Sequence, residues 1–116
     1  MLSSKIHRAV VTDASVDYQG SMAIDENLMD KVGMSPYEKI LVGNITNGER
    51  FETYAIPAER GSKMISLNGA AAHKGEIGHL VVILSFVLLD ENSLSTHQPR
   101  IAILGDGNEI MSTRGI

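Results

Sequence analysis

A chain of 116 residues with a hydrophobic fraction of 43% has the length and composition of one globular domain. Its 10 basic and 14 acidic residues give a formal charge of −4, which argues against nucleic acid as a partner, because nucleic-acid binding needs a basic face. The absence of Cys excludes disulfides, zinc–thiolate sites and a cysteine nucleophile, and it fits a cytoplasmic protein.

No membrane segment is expected from the sequence. The most apolar run, residues 80–89, is about half of the ~20 residues that a membrane-spanning helix needs. The N-terminal segment also lacks the apolar stretch of a signal peptide.

The first third of the chain predicts two strands and a short helix. Residues 5–11 alternate in polarity, which places Lys5 and His7 on one face of a strand. Residues 18–24 are a second candidate strand. Asp25 then serves as the N-cap of a short apolar helix that Gly33 ends.

A hairpin is the clearest local signal. Residues 39–45 and 50–56 are strand-like, and the Asn47-Gly48 pair between them predicts a type I′ turn. Pro57 is expected to end the second strand. On that strand, alternation places Arg50, Glu52 and Tyr54 on one face and Thr53 on the other.

The second half of the chain adds further strands. Residues 63–67 and 100–104 are short candidates, with one helical turn at 70–73 and a turn at 105–108. Residues 79–89 are continuously apolar, which predicts a strand covered on both faces, the second cover coming from a neighbouring subunit. Six or seven short strands with little helix predict a mainly β fold, a compact barrel.

Several classes of site have no support in the sequence. The four histidines (His7, His73, His79, His97) lie in no metal-ligand spacing, so no metal site is expected. The 105–107 segment lacks the third glycine of a dinucleotide fingerprint, so a turn is expected there and not a dinucleotide site. No G-x-S-x-G elbow is present, so a conventional serine hydrolase has little support.

Two Gly–Ser bonds have the chemistry for self-cleavage. A serine hydroxyl can attack the carbonyl of the preceding residue and convert the amide to an ester, and glycine there permits strained dihedrals. The bonds are Gly20–Ser21 and Gly61–Ser62. Local chemistry does not choose between them, and most Gly–Ser pairs are simply turns.

The order of motifs along the chain resembles the bacterial aspartate 1-decarboxylase family. The similarity covers residues 5–109 in family order, nearly the whole chain. The segments that carry it are KIHR at 5–8, YQGSMAID at 18–25, NITNG at 44–48, RFETYAI at 50–56, AERGS at 58–62 and ISLNGAAAH at 65–73.

The resemblance implies a fold, an assembly and a maturation step. The family fold is a double-psi β-barrel with short helices, assembled as a homotetramer with active sites between subunits. The chain is then a single domain, 1–116, that cleaves itself between Gly20 and Ser21 into residues 1–20 and 21–116. Ser21 becomes a covalently bound pyruvoyl cofactor with neither metal nor pyridoxal phosphate, and Thr53 stabilises the oxyanion during cleavage. Some family members need a maturation factor.

The resemblance also implies the reaction and its residues. L-Aspartate would be converted to β-alanine and CO₂, with the pyruvoyl carbonyl condensing with the substrate amine and accepting electrons as CO₂ departs. Ser21 and Tyr54 are the implied catalytic groups, Tyr54 as proton donor. The implied substrate-binding residues are Lys5, His7, Arg50, Asn68, Gly69, Ala70 and Ala71.

Two alternatives stay open at this point. A non-catalytic double-psi barrel serving as a binding or assembly module would keep the hairpin and the apolar strands, yet it would not need Ser21, Arg50 and Tyr54 together. An enzyme of the same type could also act on another small acidic amino acid, since Arg50 and Lys5 set no selectivity between aspartate and glutamate.

Overall fold

The strands and helices account for most of the chain, and the computed structural model describes all residues from 1 to 116. The strands are β1 (Leu2–Val10), β2 (Asp13–Ser15), β3 (Ser21–Asp25), β4 (Lys39–Asn44), β5 (Arg50–Ala58), β6 (Ile65–Asn68), β7 (Leu80–Phe86), β8 (Arg100–Leu104) and β9 (Ile110–Arg114). The helix α1 spans Glu26–Val32, and 3₁₀ helices span Gly69–Lys74, Glu91–Thr96 and Asp106–Asn108. The mainly β prediction is confirmed.

All nine strands belong to one sheet, in the order β2-β6-β3-β5-β4-β7-β1-β8-β9. Three neighbouring pairs are parallel (β1–β8, β2–β6 and β3–β5), and the others are antiparallel. The hydrogen-bonded ladder does not close, and its order is compatible with a barrel-like fold. One face of the sheet and the apolar side of α1 bury a single core, which includes Ile6, Ile24, Leu28, Ile40, Val42, Leu67 and Ile83.

Helix α1 begins and ends as predicted. The Asp25 side chain accepts a hydrogen bond from the backbone N–H of Asn27, and Gly33 closes the helix in the left-handed region at φ 71°. The Asp25 carboxylate also accepts the backbone N–H groups of Gly61 at 3.1 Å and Lys63 at 2.9 Å. One buried carboxylate therefore caps α1 and fixes the loop before β6.

A β-bulge interrupts the pairing of β1 with β7. Ile6 pairs with Ile83, yet the next pair is Ala9 with Val81, so two residues of β1 oppose one residue of β7. Arg8, inside this bulge, has a positive φ of 63°. As a result Ile6 and Ala9 face the core, and the simple alternation predicted for residues 5–11 is wrong beyond His7.

The structure corrects two predicted elements, the strand at 18–24 and the turn of the hairpin. The strand predicted at 18–24 begins only at Ser21, because Tyr18–Gly20 form an exposed loop. The predicted type I′ turn is wrong, since Gly48 has a positive φ of 80° while Asn47 does not. The Asn44 side chain instead accepts the backbone N–H groups of Thr46 and Asn47 and supports a five-residue loop.

Strand boundaries differ elsewhere too. Pro57 does not end β5. On the β4 side the last backbone hydrogen bonds of β5 are those of Ala55 with Glu38 and Tyr37, so the missing N–H of Pro57 falls beyond them, at the edge of the strand, while its other side pairs with β3. The strand expected at 63–67 lies at Ile65–Asn68, and the one expected at 79–89 ends at Phe86. Strands β2 and β9 carry no apolar alternation, so the predicted count of six or seven strands was too low.

Candidate active site

Ser21 is the first residue of β3 and is buried, with 1% of its surface exposed. It pairs across the sheet with Asn68 of β6. Its Oγ accepts a hydrogen bond from Asn68 Nδ2 at 3.4 Å and donates one to the carbonyl oxygen of Gln19 at 3.4 Å. The Ser66 hydroxyl donates to Asn68 Oδ1 at 2.8 Å, which orients the amide that reaches Ser21.

Gly69 holds the segment before Ser21 by direct backbone contact. It lies in the left-handed region at φ 63°, at the start of a 3₁₀ helix. A Cβ at this position would stand 2.6 Å from Gly20 Cα and 3.0 Å from the Tyr18 carbonyl oxygen. Only glycine lets the loop of Tyr18–Gly20 pack this closely.

A cavity of about 160 Å³ opens beside the Gly20–Ser21 bond. Thr53 contributes to it from the half-buried face of β5, which confirms that Thr53 lies opposite Arg50 and Tyr54 on that strand. The predicted residues in its wall are Gly20, Thr53, Asn68, Ala70 and Ala71. Phe51, Glu52 and Lys74 complete the wall and were not predicted from the sequence. Only Phe51 had a signal, because alternation places it on the strand face of Thr53.

Arg50 and Tyr54 lie away from this cavity, on the exposed face of β5. Tyr54 pairs with Lys39 and its ring centre is 6.4 Å from that of Tyr37. Arg50 pairs with Gly43 and lines a groove of about 280 Å³ at the hairpin end. Within one chain, neither side chain is gathered with Thr53 around Gly20.

Lys5 and His7 line a third recess of about 250 Å³, together with Ile101, Ile103 and Arg114. His7 Nδ1 is buried and has no hydrogen-bond partner. Burial lowers the pKa of His7 from its usual 6.5, and the positive charges of Lys5 and Arg8 lower it further. His7 thus brings an unpartnered, buried ring nitrogen to the residues around this recess.

The pairing register shows that these separate groups share one face of the sheet. A row of cross-strand neighbours runs from β5 to β9, through Glu52, Leu41, Leu84, Lys5, Ile101 and Arg114. Directly paired residues project to the same side of a sheet. The face opposite the core therefore carries Arg50 and Tyr54 near one end, Lys5 and His7 near the other, and half-exposed apolar residues between them.

The second Gly–Ser bond has a different setting. Ser62 is exposed, and its hydroxyl accepts only the backbone N–H of Met64. Gly61 has φ 82° and donates its N–H to Asp25. This bond lies in a surface turn that the Asp25 cap of α1 fixes.

Neither metal clusters nor spanning helices stand out. No group of three or more His, Asp or Glu side chains is placed to hold a metal ion. None of the helices combines the length and the apolar character needed to cross a bilayer.

Comparison with known proteins gives one consistent result. The family model described as aspartate decarboxylase matches residues 1–111. A protein of Pseudomonas aeruginosa named aspartate 1-decarboxylase is 50% identical, covering 97% of this chain and 90% of its own. Proteins of the same name from Ralstonia nicotianae and Bacillus licheniformis are 47% identical, covering 100% and 99% of this chain and 97% and 91% of their own. The chain belongs to the aspartate decarboxylase family.

Proposed function

We propose that this chain is a self-processing, pyruvoyl-dependent aspartate 1-decarboxylase that cleaves between Gly20 and Ser21 and converts L-aspartate to β-alanine and CO₂. The observation that carries the proposal is the setting of Ser21, a buried hydroxyl between Asn68 and Gln19, beside a cavity that contains Gly20 and Thr53. Family membership supports the reaction.

The cleavage proceeds through the Ser21 hydroxyl. Its Oγ attacks the Gly20 carbonyl carbon, and Thr53 in the adjoining cavity donates a hydrogen bond to the oxyanion that forms. The C–N bond breaks to leave an ester and a free amine on Ser21. Loss of the Cα proton expels the Gly20 carboxylate, and one water then replaces the nitrogen, which leaves as ammonia. Residues 1–20 end in a carboxylate, and residue 21 becomes pyruvoyl.

The contacts of Ser21 support a pyruvoyl group at position 21. Asn68 already donates to the oxygen at this residue, Ala70 and Ala71 present small side chains in the cavity wall, and Gly69 lies against the backbone of Gly20. In place, the group would supply a ketone that takes the substrate amine and accepts the electron pair released with CO₂. Tyr54 would return a proton, Arg50 and Lys5 would bind carboxylates, and His7 would bind substrate or transfer a proton.

These roles require a second subunit, because one chain keeps the cavity at Gly20 apart from the opposite face that carries Lys5, His7, Arg50 and Tyr54. That face also leaves Leu41, Val82, Leu84, Ile101 and Ile103 half-exposed. An apolar strip bordered by polar side chains is typical of an interaction surface. We therefore propose a homotetramer in which neighbouring copies cover this strip and bring the two sets of residues together.

An intact mass spectrum of the denatured protein tests the maturation. We expect two fragments, separated after Gly20. The mass of the larger fragment should be lower, by one ammonia, than the mass that simple hydrolysis predicts. Ser21→Ala should give one full-length mass, and Ser62→Ala should cleave like the parent. A parent protein that stays uncleaved on prolonged warming and in host extract, which would supply a maturation factor, would contradict the proposal.

Two variants separate the proposed parts of the site. Thr53→Val keeps the shape of the side chain but removes the donor, so cleavage should slow by about 10²-fold or more. Tyr54→Phe should cleave normally and then decarboxylate slowly. Equal effects of both variants on cleavage would assign Thr53 no special role.

The assembly and the substrate have their own measurements. Sedimentation should give a tetramer, and Leu84→Glu, which puts a charge in the middle of the strip, should shift it to smaller species without unfolding the chain. Turnover of aspartate should exceed that of glutamate, and a reversed preference would change the proposed substrate.

We propose the cytoplasm as the compartment of this protein, supported only by the Cys-free composition.

A further inference from the structure

Arg114 shares a recess with two residues already proposed to bind substrate. It is the last residue of β9 and pairs with Ile101 of β8, which itself pairs with Lys5 of β1. Lys5, His7 and Arg114 line one recess of about 250 Å³, floored by Ile101 and Ile103. Nothing in the sequence pattern of residues 110–116 pointed to this position.

The charge around the recess is one-sided. The four strands β1, β7, β8 and β9 contain no Asp or Glu, although the whole chain has 14 acidic residues and a charge of −4. Lys5 and Arg114 line the recess, the charge of Arg8 acts on His7 there, and none of these three cations forms an ion pair within the chain. Arg100 projects to the other side of β8, next to Gly33. Unpaired cations over an apolar floor attract a small anion, and the field is strongest where no carboxylate competes.

We infer that Arg114, together with Lys5, binds the side-chain carboxylate of the substrate, the one that the product retains. This inference rests on the proposed function and extends it by one residue. The carboxylate that is lost departs as neutral CO₂, so an ion pair to it would stabilise the ground state and slow the reaction. The retained carboxylate keeps its charge throughout, and two cations can bind it without that penalty.

His7 fits the same arrangement. It lines the same recess as Lys5 and Arg114, and its buried Nδ1 has no hydrogen-bond partner in the single chain. Arg114 adds a planar fork, which grips a carboxylate in two places, whereas Lys5 supplies a point charge.

The test uses the full-length, processed enzyme with Arg114→Gln and Arg114→Lys. Arg114→Gln should raise KM for aspartate about tenfold, with kcat within about twofold, because it removes one charge-assisted contact present before and during the reaction. The inhibition constant of succinate, a dicarboxylate without an amine, should rise by a similar factor. Arg114→Lys should recover most of the loss. Lys31→Gln, which removes an exposed cation at the end of α1, should change neither constant.

The outcomes separate the possible failures. Unchanged KM and succinate inhibition in Arg114→Gln would overturn the inference, and so would a fall in kcat with constant KM. A lowered melting temperature with normal KM would assign Arg114 to the packing of β9. If the parent protein neither cleaves nor decarboxylates, the proposed function fails. In that case, calorimetric binding of succinate to the uncleaved chain that Arg114→Gln weakens would still establish the recess as a dicarboxylate site. The absence of such binding would overturn the inference as well.

Discussion

A side chain at position 69 would overlap the backbone of Gly20, since a Cβ on Gly69 would stand 2.6 Å from Gly20 Cα and 2.8 Å from its nitrogen. This contact fixes the segment whose carbonyl the Ser21 hydroxyl must reach. It links the start of a 3₁₀ helix to the proposed cleavage bond, two places that are 49 residues apart in the chain.

Gly69→Ala should therefore slow cleavage by at least about tenfold, because both the positive φ and the overlap force the loop of residues 18–20 to move. The cleaved fraction over time, from intact masses, measures this effect. Gly107→Ala is the matched control, with φ 62° against 63° and no atom within 4 Å of its Cβ. If both variants slow cleavage equally, general destabilisation explains the result and the contact with Gly20 does not.

Asn68→Ala should slow cleavage by about tenfold, since it removes the N–H donor to Ser21 Oγ and leaves the buried hydroxyl without its cross-strand partner. Ser66→Ala should have a smaller effect, because Ser66 acts only by orienting the Asn68 amide. The same mass-spectrometric time course applies. An Asn68→Ala protein that cleaves at the parental rate would exclude the amide from the maturation step.

Asp25→Ala should lower the free energy of unfolding by about 2–4 kcal/mol, because three backbone N–H groups lose a buried acceptor. Urea denaturation of Ser21→Ala and of the double variant measures this without complication from cleavage. Asp30→Asn, which breaks an exposed ion pair with Arg60, should cost at most about 1 kcal/mol. Equal losses in the two proteins would mean that Asp25 does not fix the loop before β6.

His7 should make stability depend on pH in a defined direction. Its pKa is lower in the folded chain than the ordinary 6.5, because of burial and of the charges on Lys5 and Arg8, with Arg114 lining the same recess. The unfolded chain thus binds more protons between the two pKa values, and stability rises with pH across that window and levels off above about 6.5.

Unfolding free energies of the parent and of His7→Gln, measured from pH 5 to 8, test this. The parent should lose stability relative to His7→Gln as the pH falls below about 6.5. His73→Gln, on an exposed position, controls for replacing a histidine. A difference between parent and His7→Gln that does not change with pH would contradict the lowered pKa.

Local chemistry predicted several elements correctly from particular residues. Asp25 and Gly33 were correctly predicted to cap the two ends of α1, because a helix cap involves only atoms that are close in the sequence. Strand β8 matches its predicted bounds, and Thr53 faces away from Arg50 and Tyr54 because side chains alternate along any strand. The hairpin was right in its strands and wrong in its turn, since Asn44 supports a longer loop through its own side chain.

The sequence by itself determined the mainly β class, the helix caps and the residues that resemble a known family, because these depend on periodicity, local hydrogen bonding and motif order. Only the tertiary structure decided which strands are neighbours, and so placed Asn68 on Ser21, Gly69 against Gly20, and Arg114 in the recess of Lys5. Those pairs are 47, 49 and 109 residues apart. Contacts over such separations arise from strand pairing and core burial, which no local pattern encodes.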